Sequence, residues 1–217
     1  MSKKQFAVIG IGRFGLSLIK ELVSLGHEVL AVDKNSDKIN KVMDFATHAV
    51  EADAMDEMVI KALGLKNFDV VVVTIGEDLQ SNILITILLR ESGVKKIVAK
   101  ASNELHGRVL EKIGADMIVY PERDMGIKIA KSLSSNSIME FIEVSPDYSL
   151  IELHAPKQFY EKTLTESNIR HKYNISVLAI RRNLEVIVSP QAAEKIILGD
   201  ILVVLGKNDA IQTFSRL

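Results

Sequence analysis

Up to about residue 121 the chain repeats one pattern: a short, continuous, β-branched apolar run, then a longer stretch with apolar residues at helical spacing. The runs are QFAVI (5–9), EVLAVD (28–33), THAVEAD (47–53), DVVVVT (69–74), KKIVAKA (95–101) and DMIVYP (116–121). Strands this short that lack a polar face belong to a parallel sheet covered on both sides. Right-handed crossovers then wind it in two directions, with a ligand crevice outside the carboxyl ends of the strands. Gly26, Gly93 and Gly114 precede runs where a C-cap glycine turns helix into strand, and Ser36 is placed to cap a helix through DKINKVMDF. NILITILL at 82–89 is apolar around most of its circumference, so it is buried on both sides, against a neighbouring subunit or deep within one core.

After Pro121 the pattern changes. RDMGIKIAKSLSS reads as a helix, followed by short alternating strands: SIMEFIEVS, YSLIELHA, ISVLAIRRN, LEVIVSP and DILVVLGK. LTESNIRHKY and NDAIQTFSRL read as short helices. The fold class expected is α/β, a Rossmann doubly wound parallel sheet followed by a small α+β domain. The expected divisions are 1–121, a linker helix at 122–137, and 138–217. A second domain of this size lies near the lower limit for folding alone, so its core is expected to lean on a second copy.

Composition narrows the function. The 217 residues carry a formal charge of −1, without a basic or acidic tail, which argues against a nucleic-acid binder. There is no cysteine, which removes thiol catalysis, disulfides and cysteine-based zinc sites and fits a reducing cytosol. No run approaches the roughly 20 apolar residues that span a bilayer, and the N-terminal apolar run is too short for a signal peptide. A soluble protein is expected.

The chemistry concentrates at GIGRFG. Gly10 suits the tight turn, Gly12 close backbone approach and Gly15 helix-on-strand packing, and the helix opening near Phe14 turns its N-terminal amides toward phosphates. Asp33 ends the next strand, where a carboxylate accepts from ribose hydroxyls and repels a 2′-phosphate. Asp53 ends the third strand, facing an adenine or simply terminating the strand. Arg13 is unusual in a loop built for backbone approach; its fork suits a further phosphate, which makes ATP or ADP a rival to NAD. Glu122 in YPERD has two readings: a carboxylate bridged to phosphates by Mg2+ or another hard cation, or an acid complementing a helix dipole. No tyrosine has a lysine four residues on, and the five histidines are scattered singly, His106 reading as a cap or surface residue. No acid–base pair for a dehydrogenase is visible.

FAVIGIGRFG, GHEVLAVD, ATHAV, LGLKNFDVVVV, RVLEKIGADMIVYPERDMG and YNISVLAIRR together resemble the cytosolic RCK (regulator of K+ conductance) regulatory subunits of Ktr and Trk potassium uptake systems, of the KtrA type. The resemblance runs over nearly the whole chain. It implies a cytoplasmic gating subunit, not an enzyme, whose homodimers assemble into a homo-octameric ring on a membrane-embedded potassium channel subunit at the inner face of the membrane. It implies that ATP and ADP compete for Gly10, Gly12, Arg13, Phe14, Gly15, Asp33, Asn35, Asp53, Ala54, Thr74, Lys100 and Glu122. Arg13 then meets the γ-phosphate, and Glu122 a bridging cation. It further implies a cyclic di-AMP site in the second domain at Arg170, Asn174, Ile175 and Pro190. The alternative is an NAD(H)-binding redox sensor or small oxidoreductase.

Overall fold

The structure, a computed structural model, describes residues 3–133 and 138–217. It divides into two compact units, Met1–Asp124 and Met125–Leu217.

The first unit alternates strand and helix: β1 (Gln5–Ile9), α1 (Arg13–Ser24), β2 (Glu28–Asp33), α2 (Ser36–Asn40), β3 (His48–Glu51), α3 (Glu57–Ala62), β4 (Val70–Val73), α4 (Leu79–Glu91), β5 (Ile97–Lys100), α5 (Glu104–Lys112) and β6 (Met117–Val119). A helix α6 (Pro121–Leu133) begins at its end. The six strands form one parallel sheet in the order β3-β2-β1-β4-β5-β6. Successive side chains point to opposite faces, and both faces are packed. Ala7, Ile9, Val71, Val73 and Ile97 join Ile85 and Leu89 of α4 on one side. Val8, Val29, Ala31 and Val72 join Ile19 of α1 and Ile39 of α2 on the other. Each such Val or Ile contributes about 1.5–3 kcal/mol on burial, which is why the strands read as unbroken apolar runs. Strand order reverses between β1 and β4, and a crevice opens outside their carboxyl ends.

Two expectations need correction here. The cap of α2 is Asn35, not Ser36: Asn35 Oδ1 accepts from the amides of Asp37 (2.8 Å) and Lys38 (3.3 Å). The helix stops at Asn40 instead of running through DKINKVMDF. Nor is α4 buried all round within the chain. Its buried positions include Ser81, Asn82 and Thr86, while Leu79 and Leu84 are exposed, which removes the reading of a helix deep in one core.

The second unit is an antiparallel sheet with short helices. Its strands are β7 (Ile138–Ser145), β8 (Tyr148–His154), β9 (Ile175–Arg182), β10 (Glu185–Val188) and β11 (Ile201–Lys207), in the order β10-β9-β11-β8-β7. Residues 134–137, the end of the expected linker and the start of the first expected strand, lie outside the described residues. The sheet packs Ile151, Leu153, Ile180, Leu202 and Val204 against Phe159 and Phe214, the latter from α9 (Asn208–Phe214). LTESNIRHKY forms two helices, α7 (Leu164–Ser167) and α8 (Ile169–Tyr173), because Asn168 between them is left-handed at φ +49°. Asp200, 1% exposed, is held by the Arg182 guanidinium at 2.9 Å, which pins the loop before β11 to β9.

A cavity at the carboxyl edge of the parallel sheet

A cavity of about 720 Å3 lies at the carboxyl ends of the parallel strands. Ten of the twelve expected nucleotide residues line it: Gly10, Gly12, Arg13, Phe14, Asp33, Asp53, Ala54, Thr74, Lys100 and Glu122. Gly15 and Asn35 do not, and each has a structural task instead. A Cβ on Gly15 would overlap the Gly10 carbonyl oxygen and stand 2.6 Å from Thr74 Oγ1. Asn35 spends its side chain capping α2. Gly10 adopts φ +96°, where other residues are strained, and a Cβ there would stand 2.8 Å from Ile75 Cγ1. The Thr74 hydroxyl lies against the carbonyls of Ile9 (3.1 Å) and Gly10, joining the end of β4 to the glycine turn.

Within the cavity the Asp33 carboxylate, 6% exposed, is committed to three donors. Its Oδ2 accepts from the Ile11 amide at 2.6 Å and the Lys38 ammonium at 3.2 Å, and its Oδ1 accepts from the Asn35 amide at 3.0 Å. Sequence reading missed Lys38, although it sits one turn into the helix that follows Asp33 and so points back at the strand end. Asp53, exposed, accepts from the Met55 amide at 3.0 Å and turns the chain after β3. Ile9, Ile75, Ala54, Met55 and Ile85 supply apolar lining.

A second group of lining residues is cationic. Arg13 is the first residue of α1, whose cap Gly12 provides no side-chain acceptor and whose first turn holds no acid. The N-terminal amides, which form the positive pole of the helix dipole, and the Arg13 guanidinium thus lie at the same helix end, with no ion pair to Arg13 among the described residues. Lys100, at the end of β5, reaches Glu122 at 2.6 Å; its side chain is 12% exposed and that of Glu122 71%. Lys100 holds the Glu122 carboxyl below its ordinary value by its hydrogen bond; burial opposes this, and the Arg13 charge adds to it. Gly76 lets the lysine pass, since a Cβ there would stand 2.9 Å from its Nζ.

Among the described residues no group of three or more His, Asp or Glu stands where it would hold a metal ion. Glu122 offers one carboxylate, paired with Lys100. His106 is not a surface residue: it is 4% exposed on α5, and its Nδ1 lies 3.3 Å from the Ser102 amide. Burial lowers its pKa and favours the neutral ring. In the second unit, Arg170 and Asn174 are exposed, on α8 and at its left-handed cap, and Pro190 is half-buried. Ile175 is fully buried in the unit's core, so it presents no side-chain surface to a ligand there. No helix among the described residues is long and apolar enough to cross a membrane.

The TrkA-N domain matches residues 6–121 and the TrkA-C domain residues 149–217. The chain is 49% identical to the Ktr system potassium uptake protein C of Bacillus subtilis (strain 168), covering 99% of this chain and 97% of that one. It is 45% identical to protein A of the same system and organism, over 100% and 97% of the two chains. Against the Ktr system potassium uptake protein A of Vibrio alginolyticus the identity is 37%, over 96% and 94%. These relatives are named for potassium uptake and not for a catalysed reaction. Among solved structures, the GsuK RCK domain superposes with a TM-score of 0.68 at 20% identity, over all of this chain and 48% of that one, a likeness of fold. Both domains occur here in one order, and close to half the residues are shared along the full length with the Bacillus proteins: the chain belongs to the Ktr and Trk family of potassium uptake proteins, built on the RCK fold.

Proposed function

We propose that the chain is the nucleotide-sensing regulatory subunit of a potassium uptake channel, with ATP and ADP competing for the cavity of the first unit. The observation that carries this reading is Arg13, a cation at the positive end of a helix with no acid in its first turn and, among the described residues, no ion pair. An anion there gains from the amides, the dipole and a bidentate fork at once. In the reading, the ribose meets Asp33, the adenine lies toward Asp53 and Ala54, and the terminal phosphate meets Arg13. Lys100 exchanges its partner Glu122 for phosphate oxygens when a nucleotide enters.

No bond need be made or broken. A ligand gates only through its different affinity for two states, and moving a 1:99 equilibrium to 99:1 takes about 5.5 kcal/mol. Spread over the eight sites of a homo-octameric ring, one phosphate-reading arginine per site is sufficient. The exposed Leu79 and Leu84 of α4 support burial against a neighbouring copy, and the exposed Met125, Ile127, Ile129 and Leu133 of α6 support a crossover helix covered by its dimer partner. The ring then docks, from the cytoplasm, on a membrane-embedded channel subunit. Cyclic di-AMP is read at the second unit, where the exposed Arg170 beside Asn174 offers a cation to a phosphate.

Calorimetric titration with ATP, ADP, NADH and cyclic di-AMP, repeated on Arg13→Ala, tests the reading. ATP and ADP are expected to bind tightly and NADH weakly, with the variant losing at least about tenfold more affinity for ATP than for ADP. Equal losses remove Arg13 from the sensing role. Tight NADH without ATP binding returns the site to a redox sensor or an oxidoreductase.

A further inference from the structure

The β4–β5 ladder ends at the pair Val73 and Ala99. Beyond it the strands separate, β4 running into the loop 74–78 and β5 ending at Lys100. The next carbonyls, of Ile75 and Lys100, therefore have no strand partner across the gap. Both are taken by one side chain: Asn82 Nδ2 donates to Ile75 O at 2.5 Å and to Lys100 O at 2.9 Å. Asn82 lies in the first turns of α4 and is 0% exposed. The two acceptors fix the amide's orientation, since only the NH2 group can serve two carbonyls. Its Oδ1 is left buried without a partner among the described residues, at a cost in desolvation. A polar residue kept in the core at that cost is doing more than filling space.

We propose that Asn82 is a positioning residue for phosphate recognition. It stands in for the missing rung between two diverging strands, fixing the Lys100 backbone against the loop that carries Gly76. Gly76 and Glu122 are the two groups the Lys100 ammonium touches or passes, so the separation set by Asn82 decides where that charge stands in the cavity. The inference rests on the reading of the cavity as an ATP and ADP site, and it adds a residue that does not line the cavity.

The experiment is a double-mutant cycle on the full chain, with Asn82→Ser, Lys100→Met and the pair, titrated with ATP, ADP and AMP. Serine is too short to reach either carbonyl across the gap. Asn82→Ser is expected to weaken ATP about tenfold and AMP about twofold or less, and to add about twofold or less once Lys100 is methionine. A loss of equal size for ATP, ADP and AMP, or the same tenfold loss in the Lys100→Met background, overturns the inference and leaves the nucleotide reading standing. Wild-type protein that binds neither ATP nor ADP overturns both. If Asn82→Ser does not fold, the cycle is run with Asn82→Leu, which fills the same buried volume and donates to neither carbonyl, and carries the same expectations and the same overturning results.

Discussion

Two polar groups of the cavity are built on different plans. The Asp33 carboxylate is committed: it takes an amide from the glycine turn, an amide from the cap of α2 and the Lys38 ammonium. The Arg13 guanidinium is exposed and in no ion pair among the described residues, and Lys100 is held by a carboxylate that itself faces solvent. On the proposed reading, the committed group recognises what every adenine nucleotide shares, and the uncommitted cations respond to what differs among them, the number and charge of the phosphates.

The largest expected effect tests the packing of the turn beneath both groups. Gly15→Ala drives a methyl group into the Gly10 carbonyl and toward Thr74, backbone and side chain that cannot both yield. It is expected to cost on the order of 3 kcal/mol of stability and to abolish ATP and ADP binding alike, read by thermal melting and titration. Next, Asp33→Ala strands the Ile11 amide and removes a charged acceptor. A loss of about 2 kcal/mol in stability is expected, with ATP and ADP weakened by similar factors. A loss confined to ATP would erase the distinction between the two groups.

A smaller effect sharpens it. Lys38→Met frees one lone pair of Asp33 Oδ2 and removes a half-exposed ion pair, the kind ordinarily worth about 0–1 kcal/mol. Affinities for ATP and ADP are expected to stay within about threefold of wild type; a tenfold loss would make the ammonium itself a ligand contact. The smallest effect is the titration of Glu122. Its pKa is lower in the folded chain than its ordinary 4.5, so the stability it contributes is present above that value and is lost as pH falls through the lowered one. Carboxyl chemical shifts followed by NMR should show Glu122 titrating below the ordinary glutamate range, and moving back toward it in Lys100→Met.

What was legible in the sequence follows the same physics. The six parallel strands stood out because each is packed on both faces, so no polar position interrupts the run. The glycine turn and Asp33 were legible because their spacing is local. Lys38 lay one helical turn from a residue already singled out, yet no periodicity marks it. The Lys100–Glu122 pair and the Asn82 bridge join segments on different elements, 22 and 18 residues apart, and nothing in a linear pattern encodes such a meeting. Asn168 broke an expected helix because a left-handed residue looks like any other asparagine in a polar stretch. In α4 hydropathy did not tell which face packs within the chain: the helix turns Asn82 and Thr86 inward beside Ile85 and Leu89, and Leu84 outward.

The reversal of strand order between β1 and β4 also has a kinetic meaning. Thr74 closes onto the Ile9 carbonyl across 65 residues, while the pairs β1–β2, β2–β3, β4–β5 and β5–β6 each join strands consecutive in the chain. Closing a loop of that length carries the greatest entropy cost in the sheet, and its reward arrives only when both halves are already shaped. The first unit is therefore two consecutive half-sheets docked along one seam, and the cavity opens on that seam. Whatever occupies it bridges the two halves across the pairing with the longest loop to close.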